Sequence, residues 1–115
     1  MLKKIFNFKG KIILLTGCSG QIGLTITKLY LDLGSKVYGL DLDSPNIKSK
    51  NFFFTKIDIT KNDLIEKKIR EIFIKEKKID IIINNAAAST FSSIKKRSDY
   101  ELQKIFDINL KSVIN

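Results

Sequence analysis

A three-layer α/β fold around a parallel sheet in the strand order 3-2-1-4 is predicted by three features of this 115-residue sequence. Short apolar runs alternate with amphipathic helical stripes along the chain. A glycine-rich segment stands where the first run gives way to the first stripe. The fourth run is apolar at nearly every position, as a strand covered on both faces must be.

The elements follow in order. Ile12–Thr16 is an apolar strand that breaks at Gly17-Cys18-Ser19-Gly20. Ile22, Ile26, Leu29 and Leu33 then recur at helical offsets, which predicts a helix with these four on its buried stripe and Gly34 at its end. Residues 37–41 form the second strand, and Asp43-Ser44-Pro45-Asn46 is turn chemistry. Residues 52–57 form the third. Thr60 with Asp63 resembles a capping box, opening a helix whose Ile65, Ile69, Ile72 and Phe73 share one face. Residues 79–84 form the fourth strand. Ser98 with Glu101 repeats the capping pattern before a last helix over residues 99–113. Right-handed crossovers between these units give the order 3-2-1-4, with a ligand crevice at the carboxyl ends of strands 1 and 4. There is no repeat, low-complexity tract or linker.

Composition narrows the chemistry. The net charge is +9, but 19 of the 21 basic residues are lysine and they are spread along the chain. Nucleic-acid readers favour clustered arginine, so no nucleic-acid partner is expected. The absence of histidine excludes Ser-His-Asp triads, Cys-His dyads and histidine metal sites, and no metal is expected. Cys18 is the only cysteine, so it has no disulfide partner within the chain, which suits a reducing cytoplasm. No apolar run is long enough for a membrane span, and no membrane partner is expected.

Five constellations carry chemistry. In Thr16-Gly17-Cys18-Ser19-Gly20-Gln21-Ile22-Gly23, Gly17 permits a sharp turn, Gly20 a close backbone approach to phosphate and Gly23 close helix packing. The helix that follows offers unpaired N–H groups and partial positive charge to an anion. A glycine turn so placed is the pyrophosphate site of a Rossmann-type fold. Asp41, 18 residues past Gly23, can accept hydrogen bonds from both adenosine ribose hydroxyls. It would repel a 2′-phosphate by about 4 kcal/mol per unit charge at ~4 Å and an effective dielectric of about 20. NAD is therefore preferred to NADP. Asp58 follows the third strand and by itself reads equally as a polar residue before a helix. Asn84-Asn85-Ala86-Ala87-Ala88 closes the fourth strand with small residues that admit a flat ligand. Asn109 falls on the apolar stripe Leu102, Phe106, Val113 of the last helix, where its amide needs a partner unless it sits at the solvent boundary.

Together with Asp107-Ile108-Asn109-Leu110, these segments resemble the short-chain dehydrogenase/reductase family over about residues 8–115. The resemblance implies that Gly17, Ser19, Gly20, Gln21, Ile22 and Gly23 bind the pyrophosphate of NAD. It places Asp41 and Leu42 at the adenosine ribose and Asp58 and Ile59 at the adenine. It places Asn85, Ala86 and Ala87 beside the nicotinamide ribose. Asn109 would be the helix asparagine that holds a water in the proton relay. The implied activity is hydride transfer between nicotinamide and a small alcohol or carbonyl substrate, a sugar included. Two details depart from the family. The Gly17/Gly20/Gly23 spacing is similar to the extended, nucleotide-sugar-modifying branch, and Ala87 stands where the short branch has glycine. The family's catalytic serine and Tyr-x-x-x-Lys pair would lie beyond Asn109; Tyr100 and Lys104 have the spacing but precede it. The chain is thus expected to be an incomplete domain that supplies the cofactor-binding half. By itself it would be inactive and marginally stable, oligomeric or aggregation-prone, and the full-length form would be a homo-oligomer. Two other readings stay open: a non-catalytic dinucleotide-binding or interaction module, and an extended-type NAD-dependent epimerase or dehydratase.

Overall fold

β-branched and leucine residues at consecutive positions make β1 (Ile12–Thr16) a strand with little polar surface to expose. In the computed structural model, which describes residues 7–86, β1 is followed by α1 (Gln21–Asp32), β2 (Lys36–Asp41), β3 (Phe52–Lys56), α2 (Asn62–Glu76) and β4 (Ile81–Asn84). The strands are parallel in the order β3-β2-β1-β4, as the sequence predicts. Register is continuous across the sheet: Leu14 lies between Tyr38 and Ile82, and Thr16 between Leu40 and Asn84. The helix predicted over residues 99–113 lies outside the described residues.

Strand alternation divides the core into two layers. Ile12, Leu14, Tyr38 and Leu40 point to one face and pack with Ile57 and Ile72, backed by Ile65 and Ile69 of α2. Ile13, Leu15 and Val37 point to the other with Cys18, backed by Ile26, Tyr30 and Leu31 of α1. Both faces of β1 are thereby closed. On β4, Ile81 and Ile83 pack into the α1-side layer, whereas Ile82 is 55% exposed. The expected cover on both faces of this strand is therefore one-sided among the described residues.

The helices meet the sheet differently from their hydrophobic patterns. On α1, Ile22 and Leu29 of the predicted stripe are exposed, and the buried positions are Gly23 and Thr27. Small side chains let the helix approach the sheet closely. Thr27 is tolerated there because its hydroxyl donates to the carbonyl of Gly23 (2.7 Å). On α2, Ile72 is buried as predicted but Phe73 is exposed. The predicted capping box is also absent. Thr60 donates from both N–H and hydroxyl to Asp58 Oδ1 (2.9 and 2.7 Å), and no side chain caps α2, whose N-cap position is Lys61. Gly34, at φ +95°, follows α1 as expected.

Polar contacts fasten the amino end of the sheet. Asp80 Oδ2 accepts from Ile12 N–H (2.8 Å), a bond that with Lys78 holds the carboxyl below its usual range. The Tyr38 hydroxyl donates to Glu76 Oε1 (2.8 Å), which also accepts from Lys36, tying α2 to β2. Burial, and then Glu76, push the Tyr38 hydroxyl pKa upward. The lysines spread along the sequence are partly collected here: Lys9, Lys11, Lys36, Lys48, Lys50, Lys77 and Lys78 all precede or open a strand of a parallel sheet. Among the described residues no helix is long and apolar enough to cross a membrane.

Burial this complete at the sheet centre sets an expectation for stability. Ile13→Ala, at a fully buried position, should lower unfolding free energy by about 2–5 kcal/mol. Ile74→Ala, at a position 70% exposed, should change it by less than about 0.5 kcal/mol. Equilibrium denaturation of both variants checks the contrast.

Candidate functional site

The carboxyl ends of β1 and β2 meet the start of α1, and there the backbone forms a cup. Gly17, at φ +72°, turns the chain out of β1 in a conformation that L side chains rarely adopt. Its N–H donates to the Leu40 carbonyl (2.8 Å), holding the turn against β2. A Cβ on Gly17 would also stand 2.8 Å from Ala86 Cα. A Cβ on Gly23 would collide with the Gly17 carbonyl oxygen and approach Asn85 Nδ2 to 2.8 Å. Gly23 therefore also closes the cup against its own turn. Gly20 is different: its nearest non-neighbouring atom would be 3.8 Å from a Cβ, so the chain itself leaves it room.

Gly20 is the N-cap of α1, and no side chain caps the helix; its first turn holds no acidic residue. The opening N–H groups lack helical acceptors and create a region of partial positive potential in the cup. Gln21 and Ile22 stand at this opening, and Ile22, at 69% exposure, presents an apolar surface beside it.

Asp41 ends β2 and points at the cup. Its Oδ2 accepts from Ser19 N–H (3.0 Å) and its Oδ1 from Leu42 N–H (2.7 Å). Burial would raise its pKa, but hydrogen bonds from Ser19, Leu42 and Asp43 outweigh it and hold the carboxyl below its usual range. A carboxylate oxygen has more than one acceptor direction, so these bonds leave it able to accept from a ligand hydroxyl. Leu42 is exposed at the rim.

Across the cup, β4 delivers Asn85 and Ala86. Both backbone N–H groups donate to Thr16 Oγ1 (3.1 and 3.0 Å), and Asn85 Nδ2 donates to the Gly17 carbonyl (3.1 Å). Of the two adjacent asparagines, Asn85 thereby cross-links the loops, while Asn84 is exposed. Thr16 is the residue that sequence reasoning left without a role. A threonine ending a buried strand is the only sign of it, and the two N–H groups that donate to it lie 69 and 70 residues away.

These groups line one cavity of about 540 Å³, within the range of small-ligand sites. Gly17, Ser19, Gly20, Gln21, Ile22, Gly23, Asp41, Leu42, Asp58, Ile59, Asn85 and Ala86 all contribute, so the structure brings together every predicted site residue that it describes. Ala87 and Asn109, with Tyr100 and Lys104, lie outside the described residues. Sequence reasoning missed Leu40, Asp43 and Ile57, which also line the cavity. Among the described lining residues there are three aspartates and no lysine or arginine. Lys56 is the register partner of Asp41 but is exposed and outside the lining. Among the described residues no acidic or cysteine cluster could hold a metal. Two glycines without room for a Cβ, a helix opening without a cap, and a carboxylate at rim distance together fit a dinucleotide: backbone for a diphosphate, acceptor oxygens for a ribose.

Known proteins share this fold. A family model described as short chain dehydrogenase matches residues 11–115. The 3-oxoacyl-acyl-carrier-protein reductase FabG of Chlamydia muridarum is 26% identical over 115 residues, which cover 91% of this chain and 46% of that protein. A short chain dehydrogenase of Leptospira borgpetersenii with bound NAD+ superimposes with a TM-score of 0.90 at 30% identity, over 99% of this chain and 45% of that one. Aldohexose dehydrogenase of Thermoplasma acidophilum gives 0.85 at 30% identity, over 93% and 41%. The chain thus spans less than half the length of these relatives. With the parallel Rossmann sheet, the glycine cup and a family match over most of its residues, this chain belongs to the short chain dehydrogenase family.

Proposed function

We propose that this chain is the cofactor-binding part of an NAD-dependent oxidoreductase that moves a hydride between nicotinamide and a small alcohol or carbonyl substrate. The observation that carries the reading is the cup itself, where Gly17 and Gly23 let the turn close tightly on Asn85 and Ala86 and Gly20 leaves room at the helix opening, beside the Asp41 carboxylate. NAD, when bound, supplies the hydride donor or acceptor. The chain's own residues hold and orient it. Backbone N–H groups at the opening of α1 take the diphosphate. Asp41 accepts from the adenosine ribose hydroxyls with Leu42 beside it. Asp58, braced by Thr60, and Ile59 flank the adenine. Asn85 and Ala86, with Ala87 after them, border the nicotinamide ribose, and Asn85 keeps the Gly17 carbonyl engaged so that it does not face the phosphates. Asn109 takes the place of the water-holding asparagine.

The charge of the lining supports NAD over NADP. Asp41, Asp43 and Asp58 stand on the adenosine side with no lysine or arginine among the described lining residues to neutralise an added phosphate. A sugar-type substrate fits the similarity to an aldohexose dehydrogenase and to a 2-dehydro-3-deoxy-D-gluconate 5-dehydrogenase, the latter 30% identical over 122 aligned residues. The whole protein would act in the cytoplasm as a homo-oligomer, with substrate groups and the proton-transferring residues supplied beyond those described here.

Calorimetric titration of the chain with NAD and NADP tests this reading. NAD should bind at least about tenfold more tightly than NADP, and Asp41→Ala should erode that ratio by weakening NAD about 10- to 100-fold, the worth of hydrogen bonds to a charged group. Equal affinity of the unaltered chain for both cofactors would refute the NAD assignment. Gly23→Ala should reduce affinity for both alike by about tenfold or more, since it disturbs the shared diphosphate cup.

The pH dependence follows from Asp41. Its folded pKa lies below the ordinary 3.8, so its contribution is complete above that value and disappears only as pH falls through the depressed one. NAD affinity should therefore vary by less than about twofold between pH 7 and pH 5. A loss of binding near pH 6 would show that a different group controls the site.

A further inference from the structure

We propose that Cys18 and Gly39 form a volume-matched pair that positions the glycine turn relative to Asp41, so that the diphosphate and ribose subsites are set as one unit. This rests on the reading of the cup as a dinucleotide site. The turn rises to the rim at Gly17, Ser19 and Gly20, yet the residue among them, Cys18, is fully buried. Its side chain leaves the turn and enters the α1-side core with Ile13, Leu15 and Val37. There it occupies the space that a side chain at position 39 would need. A Cβ on Gly39 would stand 2.7 Å from Cys18 Sγ, 2.9 Å from Cys18 Cβ and 2.9 Å from Phe52 Cε1.

Gly39 is in the middle of β2 and is not among the residues with positive φ, so its backbone does not call for glycine. A glycine inside a strand is unfavourable for its entropy and its missing packing surface. Room for Cys18 accounts for it. The flanking contacts extend the pattern: Gly17 N–H bonds the Leu40 carbonyl and Ser19 N–H bonds Asp41 Oδ2. The turn residues Gly17, Cys18 and Ser19 are thus seated on Leu40, Gly39 and Asp41 of β2, with the Cys18–Gly39 seat formed by fit alone. Filling that seat would lift the turn out of the core, toward the cavity and away from the carboxylate. The thiol in the seat is also chemically silent: burial, then the Asp41 charge, push its pKa up to about 12.

The test is a double-mutant cycle on the full chain with Gly39→Ala, Cys18→Gly and the two combined. NAD affinity is read by titration and folding by thermal denaturation. Because Cys18 is the only cysteine of the chain, labelling by an aromatic disulfide reports its exposure directly. Gly39→Ala should weaken NAD by about tenfold or more at temperatures where it remains folded, and should speed thiol labelling by about tenfold. In the Cys18→Gly background the same alanine should change NAD affinity by less than about twofold, because both Cys18 contacts are gone and the edge of the Phe52 ring can shift into the vacated space. Equal NAD affinity of Gly39→Ala and the unaltered chain, or losses that simply add in the double variant, would overturn the pairing. So would a loss of affinity that only tracks the fraction unfolded. If Gly39→Ala does not fold, recovery of folding and NAD binding in the double variant supports the pair, and failure to recover either overturns it. If the unaltered chain binds no NAD, the dinucleotide reading fails, and the labelling comparison still decides whether Gly39 seats the turn.

Discussion

The close approach of the β1–α1 turn to the end of β4 is the constraint on which the site depends. Gly17 and Gly23 have no Cβ where one would strike Ala86, Asn85 or the turn's own carbonyl. That absence lets Asn85 reach the Gly17 carbonyl and lets Thr16 Oγ1 accept two backbone N–H groups from β4. One hydroxyl and one amide thereby close the cavity floor between strands that are distant in sequence. A cup built from backbone in this way keeps its donors fixed before any ligand arrives, so little ordering remains to be done on binding.

The same economy appears at the other wall. Asp41 is both a cavity-lining carboxylate and a clamp on Ser19, and hydrogen bonds hold its charge despite partial burial. A group with both duties links the shape of the cup to its electrostatics. The opposite end of the sheet is arranged for stability instead. There Asp80 and Glu76 bond to Ile12 N–H and to Tyr38 with Lys36, and lysines gather at the strand starts. The three aspartates of the cavity lining and the lysines that precede or open the strands are groupings made by the parallel sheet, and neither is visible when the charges are read along the chain.

Apolar packing explains why the site can be this open. β1 is buried on both faces by two layers that share no residue, so the strand that launches the glycine turn is the most enclosed part of the described structure. Cys18 extends that rigidity one residue into the turn. Above it, Ser19 is held by Asp41, and Gly20 and Gln21 border the cavity without packing into the core.

Strand order, strand identity and the glycine turn were legible in the sequence, because alternation of apolar runs with stripes and the special backbone needs of glycine are local properties; the rest of the cavity lining came through the family resemblance, which left out Leu40, Asp43 and Ile57. Asp41 was legible too, by its place at the end of β2. The face of each helix was not. Ile22 and Leu29 looked like core, yet Gly23 and Thr27 are buried, since how closely a helix approaches a sheet is decided by the small residues between them and not by hydrophobic count. Thr60 looked like a cap and instead braces Asp58, because two local acceptors competed for the same donors. Thr16, Asn85 and the Cys18–Gly39 fit are contacts across strands, and distance in the chain hides them. The sequence by itself determined which elements form and where a dinucleotide cup would open. Only the tertiary structure decided which side chains hold that cup in shape, because steric fit and hydrogen-bond partners exist only once β1, β2 and β4 lie side by side.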